Sequence, residues 1–316
     1  MPGEFRIIED YFRREVSAEG LLLGIGDDGA VLRPRAGLDQ VVVTDTLVAG
    51  RHFPAGFPAA DTGWRALAVN LSDIAAMGAA PRFAFLNLTL PEPETRWLRE
   101  FAGGFFELAQ MTETVLAGGD TTQGPLSITV TVIGEVPAGG ALTRAGARPG
   151  NLVCVSGKPG EAAAGLELLL QDSRDSSTLA GRFRRPEPRL ALGLQLRDVA
   201  TAVIDVSDGL IADLGHILAA SGTGARIDVE RLPVSAALAA HAGRPVDYVL
   251  AGGDDYELCF CISPERIDTL NALKNVCEVT VIGEILAAPG LAIMRDGTPY
   301  KPARKGWEHF STESRE

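Results

Sequence analysis

The chain has 316 residues and a mass of 33.3 kDa, and 46% of its side chains are hydrophobic, enough to bury two cores more readily than one. Its 29 basic and 41 acidic side chains leave a formal charge of −12, which disfavours unspecific binding to nucleic acid or to an anionic membrane but not a phosphate ligand carried by a cation. No apolar run is long enough for a bilayer, no signal-peptide core follows Met1, and the four cysteines and four histidines show no zinc spacing, so a reducing cytoplasm is the expected compartment.

Phe5, Ile8, Tyr11 and Phe12 fall on one helical stripe and predict a helix over 4–15. Short β-like runs follow at 21–25, 30–32 and 40–44. Asp61 is placed to cap a long helix to Met77, with Gly78 as its stop. A strand over 83–90, a helix over 94–111 and strands over 114–117 and 126–136 complete the first half. The glycine-rich stretch 138–150 marks a domain boundary, so that 1–137 and 151–316 are expected as separate domains. The second half reads as strand 152–156, helix 161–170, a polar and mobile loop 171–185, helix 187–197, strand 202–206, helix 209–220 and strand 225–229. Strand-like runs at 246–251, 256–262 and 279–285 close it. Alternating strands and helices give an α/β or α+β chain in both halves. Cys154, Cys259 and Cys261 sit in apolar runs and read as reduced core thiols.

Two nucleotide-loop patterns fail on context. Gly24-Ile25-Gly26-Asp27-Asp28-Gly29 has Gly-x-Gly-x-x-Gly spacing, but Ala30-Val31-Leu32 after it looks extended, and its two aspartates repel a pyrophosphate. Lys158 follows Gly157, yet Pro159 stands where a P-loop needs Ser or Thr.

The informative feature is recurring aspartate beside glycine or hydroxyl residues. The stretches are Gly26-Asp27-Asp28-Gly29, Thr44-Asp45-Thr46, Gly119-Asp120-Thr121-Thr122, Asp205-Val206-Ser207-Asp208-Gly209 and Gly253-Asp254-Asp255, with Asp73 in a helix beside Asn70 and Met77. Singly, each is ordinary turn or cap chemistry. Together they predict strand ends converging at one sheet edge, where so many carboxylates repel unless divalent cations neutralise them. Oxygen-only ligation selects Mg²⁺, which takes one or two carboxylates per ion and fills its shell with water and substrate phosphate.

These motifs, in this order, resemble the thiamine-monophosphate kinase family, of the superfamily that includes aminoimidazole ribonucleotide synthetase. The likeness is carried by Gly24–Ala30, by Thr44-Asp45-Thr46-Leu47-Val48-Ala49-Gly50-Arg51-His52-Phe53, by 66–81, by Gly118-Gly119-Asp120-Thr121-Thr122-Gln123-Gly124-Pro125 and by Leu142-Thr143-Arg144-Ala145-Gly146-Ala147-Arg148-Pro149-Gly150. It continues through 205–214, 252–260 and Lys305-Gly306-Trp307-Glu308-His309-Phe310. The resemblance implies ATP-dependent phosphorylation of thiamine phosphate to thiamine diphosphate by direct transfer, with several Mg²⁺ ions and a homodimer. It implies an aminoimidazole ribonucleotide synthetase-like fold of two domains: an N-terminal mixed sheet with helices, forming a barrel-like dimer core and binding ATP and Mg²⁺, and a C-terminal α/β sandwich. By position, Asp28, Asp45, Asp73, Asp120, Asp205 and Asp208 would hold metal, with Thr44 and Thr46 assisting. Gly119, Asp120, Arg144 and Ser207 would contact ATP. His52, Asp254 and Trp307 would meet thiamine phosphate. Asp45, Asp120, Asp208 and Arg144 would carry catalysis, by positioning and charge neutralisation. Two departures stand out: Val43 replaces a hydroxyl residue often found before Thr-Asp-Thr, and Asp254 replaces the glutamate of relatives. The competing readings are another ATP-using enzyme of the superfamily and a noncatalytic nucleotide or thiamine-phosphate sensor. Selenophosphate synthetase needs a reactive N-terminal cysteine or selenocysteine, and the hydrogenase-maturation enzyme ends in one, neither of which is present here.

Overall fold

The computed structural model describes residues 3–14, 18–303 and 306. It divides into two compact units, Met1–Ile74 with Ala79–Ala141, and Ala75–Gly78 with Leu142–Glu316.

In the first unit, helix α1 (Glu4–Ile7) continues as a π-turn to Phe12, shorter than the helix expected to residue 15. Strands β1 (Leu21–Leu23) and β2 (Val31–Leu32) pair antiparallel. Strand β3 (Leu38–Val48) leads to helix α2 (Ala59–Ala76). Asp61 lies in its first turn rather than at the cap, and Gly78, at φ 66°, follows its end. Strand β4 (Ala80–Leu90), helix α3 (Thr95–Met111), strand β5 (Val115–Gln123) and strand β6 (Ser127–Pro137) complete the unit. The sheet order is β3-β6-β4-β5, and only the β4–β5 pair is parallel, so the sheet is mixed. Strand β5 runs further than expected, because Gly118 and Gly119 sit inside the strand rather than beyond it.

Alternation along these strands sorts their residues between two faces. Val41, Leu47, Leu86, Leu88, Ile128, Val130 and Val132 are buried. A Cβ on Gly134 would lie 3.0 Å from the Ile74 side chain, which places α2 on that same face. Helices α2 and α3 meet through glycine, since a Cβ on Gly63 would fall 2.0 Å from the Phe101 carbonyl oxygen and one on Gly104 would fall 1.8 Å from that of Ala60. The opposite face of the sheet carries hydroxyls.

The second unit opens with β7 (Leu152–Ser156) and α4 (Glu161–Gln171). The stretch expected as loop contains helix α5 (Thr178–Arg184), because Ser177 caps it by accepting from the Ala180 amide at 3.2 Å. There follow α6 (Leu190–Leu196), β8 (Ala200–Val206), α7 (Leu210–Ser221), β9 (Gly224–Asp228), α8 (Ala236–His241) and α9 (Pro245–Ala251). The α9 segment reads as strand in sequence and is helix in the structure. Its short apolar run has no period of its own, and Pro245 at the first turn settles the matter. Then come β10 (Glu257–Ile262), α10 (Thr269–Leu273), β11 (Val279–Leu286), β12 (Gly290–Arg295) and β13 (Thr298–Pro299).

The seven strands are ordered β13-β12-β9-β11-β7-β10-β8. Every residue of β10 is buried, as helices on both faces require. Cys259 and Cys261 point into the core shared with α4, α7 and α9, while Leu258, Phe260 and Ile262 point into the core shared with α6 and α10. Cys154, Cys259 and Cys261 are free and fully enclosed, and burial pushes the Cys261 thiol up to about 12, which leaves it inert at neutral pH.

Candidate functional site

The aspartate motifs do not share one sheet edge. Those of the first unit lie on its four-stranded sheet, on the loop after β1 and, for Asp73, on α2, and those of the second lie at the end of β8, in the turn after it and in the loop before β10.

In the first unit, a cavity of about 640 Å³ is lined by the apolar side chains of Phe5, Ile8, Phe12 and Phe85 together with Asp27, Asp28 and Asp120. Phe5 is 83% exposed. The loop Gly24–Gly29 turns at Gly26, where φ is 128°, and then enters β2 rather than a helix. Asp27 shapes that turn: its Oδ1 accepts from the Asp28 amide at 2.9 Å. Gly119 has φ 146°, and a Cβ there would stand 1.9 Å from the Leu86 carbonyl oxygen, so only glycine brings β5 into this position. The next residue, Asp120, pairs with Asn87 across the ladder. Registers extend this row to Thr129 and Thr46, giving Thr46, Thr129, Asn87 and Asp120 side by side across all four strands.

Pleating separates Asp45 from its neighbours. The Thr44 and Thr46 hydroxyls lie on the open face, at 3.0 Å from Thr131 Oγ1 and 2.8 Å from Thr129 Oγ1. Asp45 therefore points to the face covered by α2, the helix that carries half-buried Asp73. Any share of the two threonines in an ion held by the Asp45 carboxylate falls to their main-chain oxygens. His52 follows β3 in a turn, and its Nδ1 accepts from the Val48 amide at 2.9 Å. That bond assigns the proton of the neutral ring to Nε2 and makes Nε2 a donor.

In the second unit, Arg144 is exposed on a loop held at both sides. The Val203 amide donates to the Thr143 carbonyl at 2.9 Å, and the Ser221 hydroxyl receives the Gly146 and Ala147 amides at 3.2 and 3.1 Å. Asp205 ends β8 in a buried position, and half-buried Ser207 and Asp208 follow in the turn to α7. Asp213, in the first turn of α7, reaches back to that loop. Its Oδ2 accepts from the amides of Ser207, Asp208 and Gly209 at 3.0, 3.1 and 3.1 Å. Burial, with Asp205 and Asp208 close by, pushes the Asp213 carboxyl up to about 7.

The loop before β10 leans on the same turn. The Asp254 amide donates to the Ser207 carbonyl and the Tyr256 amide to the Val206 carbonyl, both at 2.8 Å. Asp254 and Tyr256 are both left-handed, at φ 68° and 53°, a conformation that costs a non-glycine residue energy. Asp255 between them is no ligand for substrate: its carboxylate accepts from the Gly160 amide at 2.6 Å and the Ala162 amide at 3.2 Å, capping α4. Trp307 lies outside the described residues. Its neighbour Gly306 sits where a Cβ would meet the Asp208 carbonyl oxygen at 2.8 Å.

The donors suit a hard cation. Among the described residues no three His, Cys, Asp or Glu side chains form a self-sufficient metal cage. Mg²⁺ needs none, because water and phosphate complete its shell, and Asp27, Asp28 and Asp120 offer only oxygen to the cavity.

The model for the N-terminal domain of AIR synthase related proteins matches residues 26–136, and that for the C-terminal domain matches 148–296. The thiamine-monophosphate kinase of Escherichia coli (strain K12) is 46% identical over 321 residues, covering 98% of this chain and 99% of that one. The chain belongs to the thiamine-monophosphate kinase family of AIR synthase related proteins. The crystal structure of thiamine-monophosphate kinase from Stenotrophomonas maltophilia K279a matches with a TM-score of 0.84 and 45% identity, covering 94% of this chain and 96% of that one. AaThiL complexed with AMPPCP and TMP matches with a TM-score of 0.79 and 33% identity, covering 90% of this chain and 92% of that one.

Within this thiamine-monophosphate kinase family member, sequence reasoning passed over Asn87, Phe5 and Asp213. Asn87 left a signal, as a lone amide in the apolar run Phe83-Ala84-Phe85-Leu86-Asn87-Leu88. Phe5 shows in the sequence only as a member of the stripe that predicts the first helix. Asp213 carries no glycine or hydroxyl neighbour of the kind that marks the other aspartates.

Proposed function

We propose that this chain phosphorylates thiamine phosphate to thiamine diphosphate at the expense of ATP. The observation that carries the reading is the cavity of the first unit, which combines aromatic side chains suited to a base with carboxylate oxygens suited to cation-borne phosphates. Two full-length likenesses support it: the kinase of E. coli, and AaThiL, which is complexed with AMPPCP, a non-hydrolysable relative of ATP, and TMP. The phosphate oxygen of thiamine phosphate attacks the γ-phosphorus in line; a new P–O bond forms, the bond to the β-phosphate oxygen breaks, and ADP leaves. The attacking oxygen is already anionic at neutral pH, so no side chain need take a proton. Asp28, Asp45, Asp73 and Asp120 of the first unit and Asp205 and Asp208 of the second would hold Mg²⁺ ions, which would neutralise charge on the phosphates. Arg144 offers a planar fork to phosphate oxygens. Gly119 and Ser207 present main chain and hydroxyl to ATP, and His52 offers its Nε2 proton to the phosphate of the vitamin. Asp254 and Trp307 meet the cationic ring system. The open sheet face of the first unit joins a second copy of the chain, and the reaction belongs to the cytoplasm.

The test is incubation with ATP, Mg²⁺ and thiamine phosphate, following thiamine diphosphate. Absence of product with ATP binding retained would favour a sensor instead. Asp45→Asn is expected to cut turnover by about a hundredfold or more with little change in melting temperature, the scale of losing one preorganised charge in a phosphoryl-transfer site. Near-normal activity of this variant across magnesium concentrations would sink the metal assignment.

A further inference from the structure

Asp213 is buried to 2% exposure and takes no part in the reaction proposed above. One of its oxygens gathers three successive amides, those of Ser207, Asp208 and Gly209. Turning three neighbouring N–H groups toward one point fixes the backbone dihedrals between them, as in an anion-binding nest. Ser207 and Asp208 spring from this backbone. Gly209, at φ 111°, is needed for the turn, and a Cβ there would stand 2.9 Å from the Ala251 carbonyl carbon.

The outward side of the same turn is also used. Its Val206 and Ser207 carbonyls receive the Tyr256 and Asp254 amides, the two residues held left-handed. A Cβ on Gly253 would stand 2.6 Å from the Ser207 carbonyl oxygen, so the two loops are in backbone contact. Amides on one side and carbonyls on the other make a single relay from Asp213 to Asp254. Stability alone is a poor reason for a carboxylate here. Burial and the nearby Asp205 and Asp208 all work against its charge.

We propose that Asp213 is a positioning residue, which through one carboxylate oxygen sets the backbone of the Asp205–Gly209 turn and, through the Val206 and Ser207 carbonyls, the left-handed seat of Asp254. It touches no reacting atom. The role rests on the kinase reading for its kinetic consequence and on the hydrogen bonds alone for its structural one.

The experiment compares Asp213→Ala, Asp213→Asn and Leu218→Ala. Leu218 packs in the core from the same helix, more than two turns beyond residues 207–209, so its truncation destabilises that helix without removing an acceptor of the nest. Hydrogen exchange at the amides of 207–209 is measured together with KM for thiamine phosphate and the Mg²⁺ concentration for half-maximal rate. Asp213→Ala is expected to speed exchange at these amides and to raise both kinetic constants by about tenfold or more, the scale of losing charge-assisted hydrogen bonds. Asp213→Asn keeps an acceptor oxygen and is expected to recover most of this shift. Leu218→Ala is expected to leave both constants unchanged. Unaltered exchange in Asp213→Ala, unaltered constants, or an equal shift in Leu218→Ala would overturn the proposal. If the unmodified protein forms no thiamine diphosphate, the kinase reading falls, and exchange at 207–209 still decides whether Asp213 holds the turn.

Discussion

At the scale of single residues, the buried carboxylates have different tasks that their sequence settings do not reveal. Glu257 starts β10 and is enclosed, with Arg189 donating from Nε and Nη2 at 2.7 and 2.6 Å and the Ser156 hydroxyl donating to it as well. Ser156 Oγ in turn accepts from the Leu258 amide at 2.8 Å. Truncating Glu257 removes both hydrogen bonds to the enclosed carboxylate and leaves Arg189 facing exposed Glu187 at 3.0 Å. Glu257→Ala is therefore expected to cost about 3–5 kcal/mol of unfolding free energy in urea, and Glu257→Met with Arg189→Met to recover more than half of that. A single-variant loss below about 1 kcal/mol would show that water reaches Arg189 and relieves it. The Gly-Asp signature was legible as a set, because repetition across the chain made each turn less ordinary. Individual tasks were not. Asp27 and Asp255 stand in the same motifs as Asp28 and Asp254, yet Asp27 closes its own turn and Asp255 caps α4. Only backbone geometry, set by contacts distant in sequence, separates such neighbours.

At the scale of elements, long periodic segments read well and short apolar ones did not. Helix α3 carries Leu98, Phe101, Phe105 and Leu108 at helical spacing, and its bounds fall within a residue of expectation. Helix α9 has no such period, and α5 depends on one serine cap inside a polar run. The crossing of α2 and α3 is a feature that sequence cannot price, because Gly103 and Gly104 look alike there. In the structure they differ entirely. A Cβ on Gly104 would overlap the Ala60 carbonyl at 1.8 Å, whereas one on Gly103 would meet nothing within 4 Å. Gly104→Ala is expected to destabilise by about 2 kcal/mol or more, since the helices must separate. Gly103→Ala is expected to stabilise by about 0.5–1 kcal/mol through helix propensity and a less flexible unfolded chain. Thermal or urea unfolding of the pair reads both signs at once, and equal effects would mean that the two helices do not meet at glycine.

At the scale of the whole molecule, the β3 side of the first unit's hydroxyl-bearing face and the long edge beside it have no cover among the described residues. Strand β3 has eleven residues, pairs among the described residues only with β6, and carries Val42 at 62% exposure on the hydroxyl-bearing face. It contains no proline or lysine to blunt it, and its only acidic residues are Asp39, which accepts from the Gly139 amide at 2.8 Å, and Asp45 on the opposite face. An edge of this length and character invites pairing unless something covers it. The homodimer proposed above would supply the cover, and a formal charge of −12 on each copy would oppose it. Sedimentation over a range of protein concentrations is therefore expected to give twice the chain mass for the unmodified protein and a shift toward the single chain for Val42→Lys. Added salt is expected to strengthen association of the unmodified protein, because screening weakens like-charge repulsion while leaving apolar burial intact. A single-chain mass at all concentrations would remove the dimer from the reading. A dimer untouched by Val42→Lys would move the interface away from this edge, since burying an unpaired ammonium between two such sheets costs more than the contact returns.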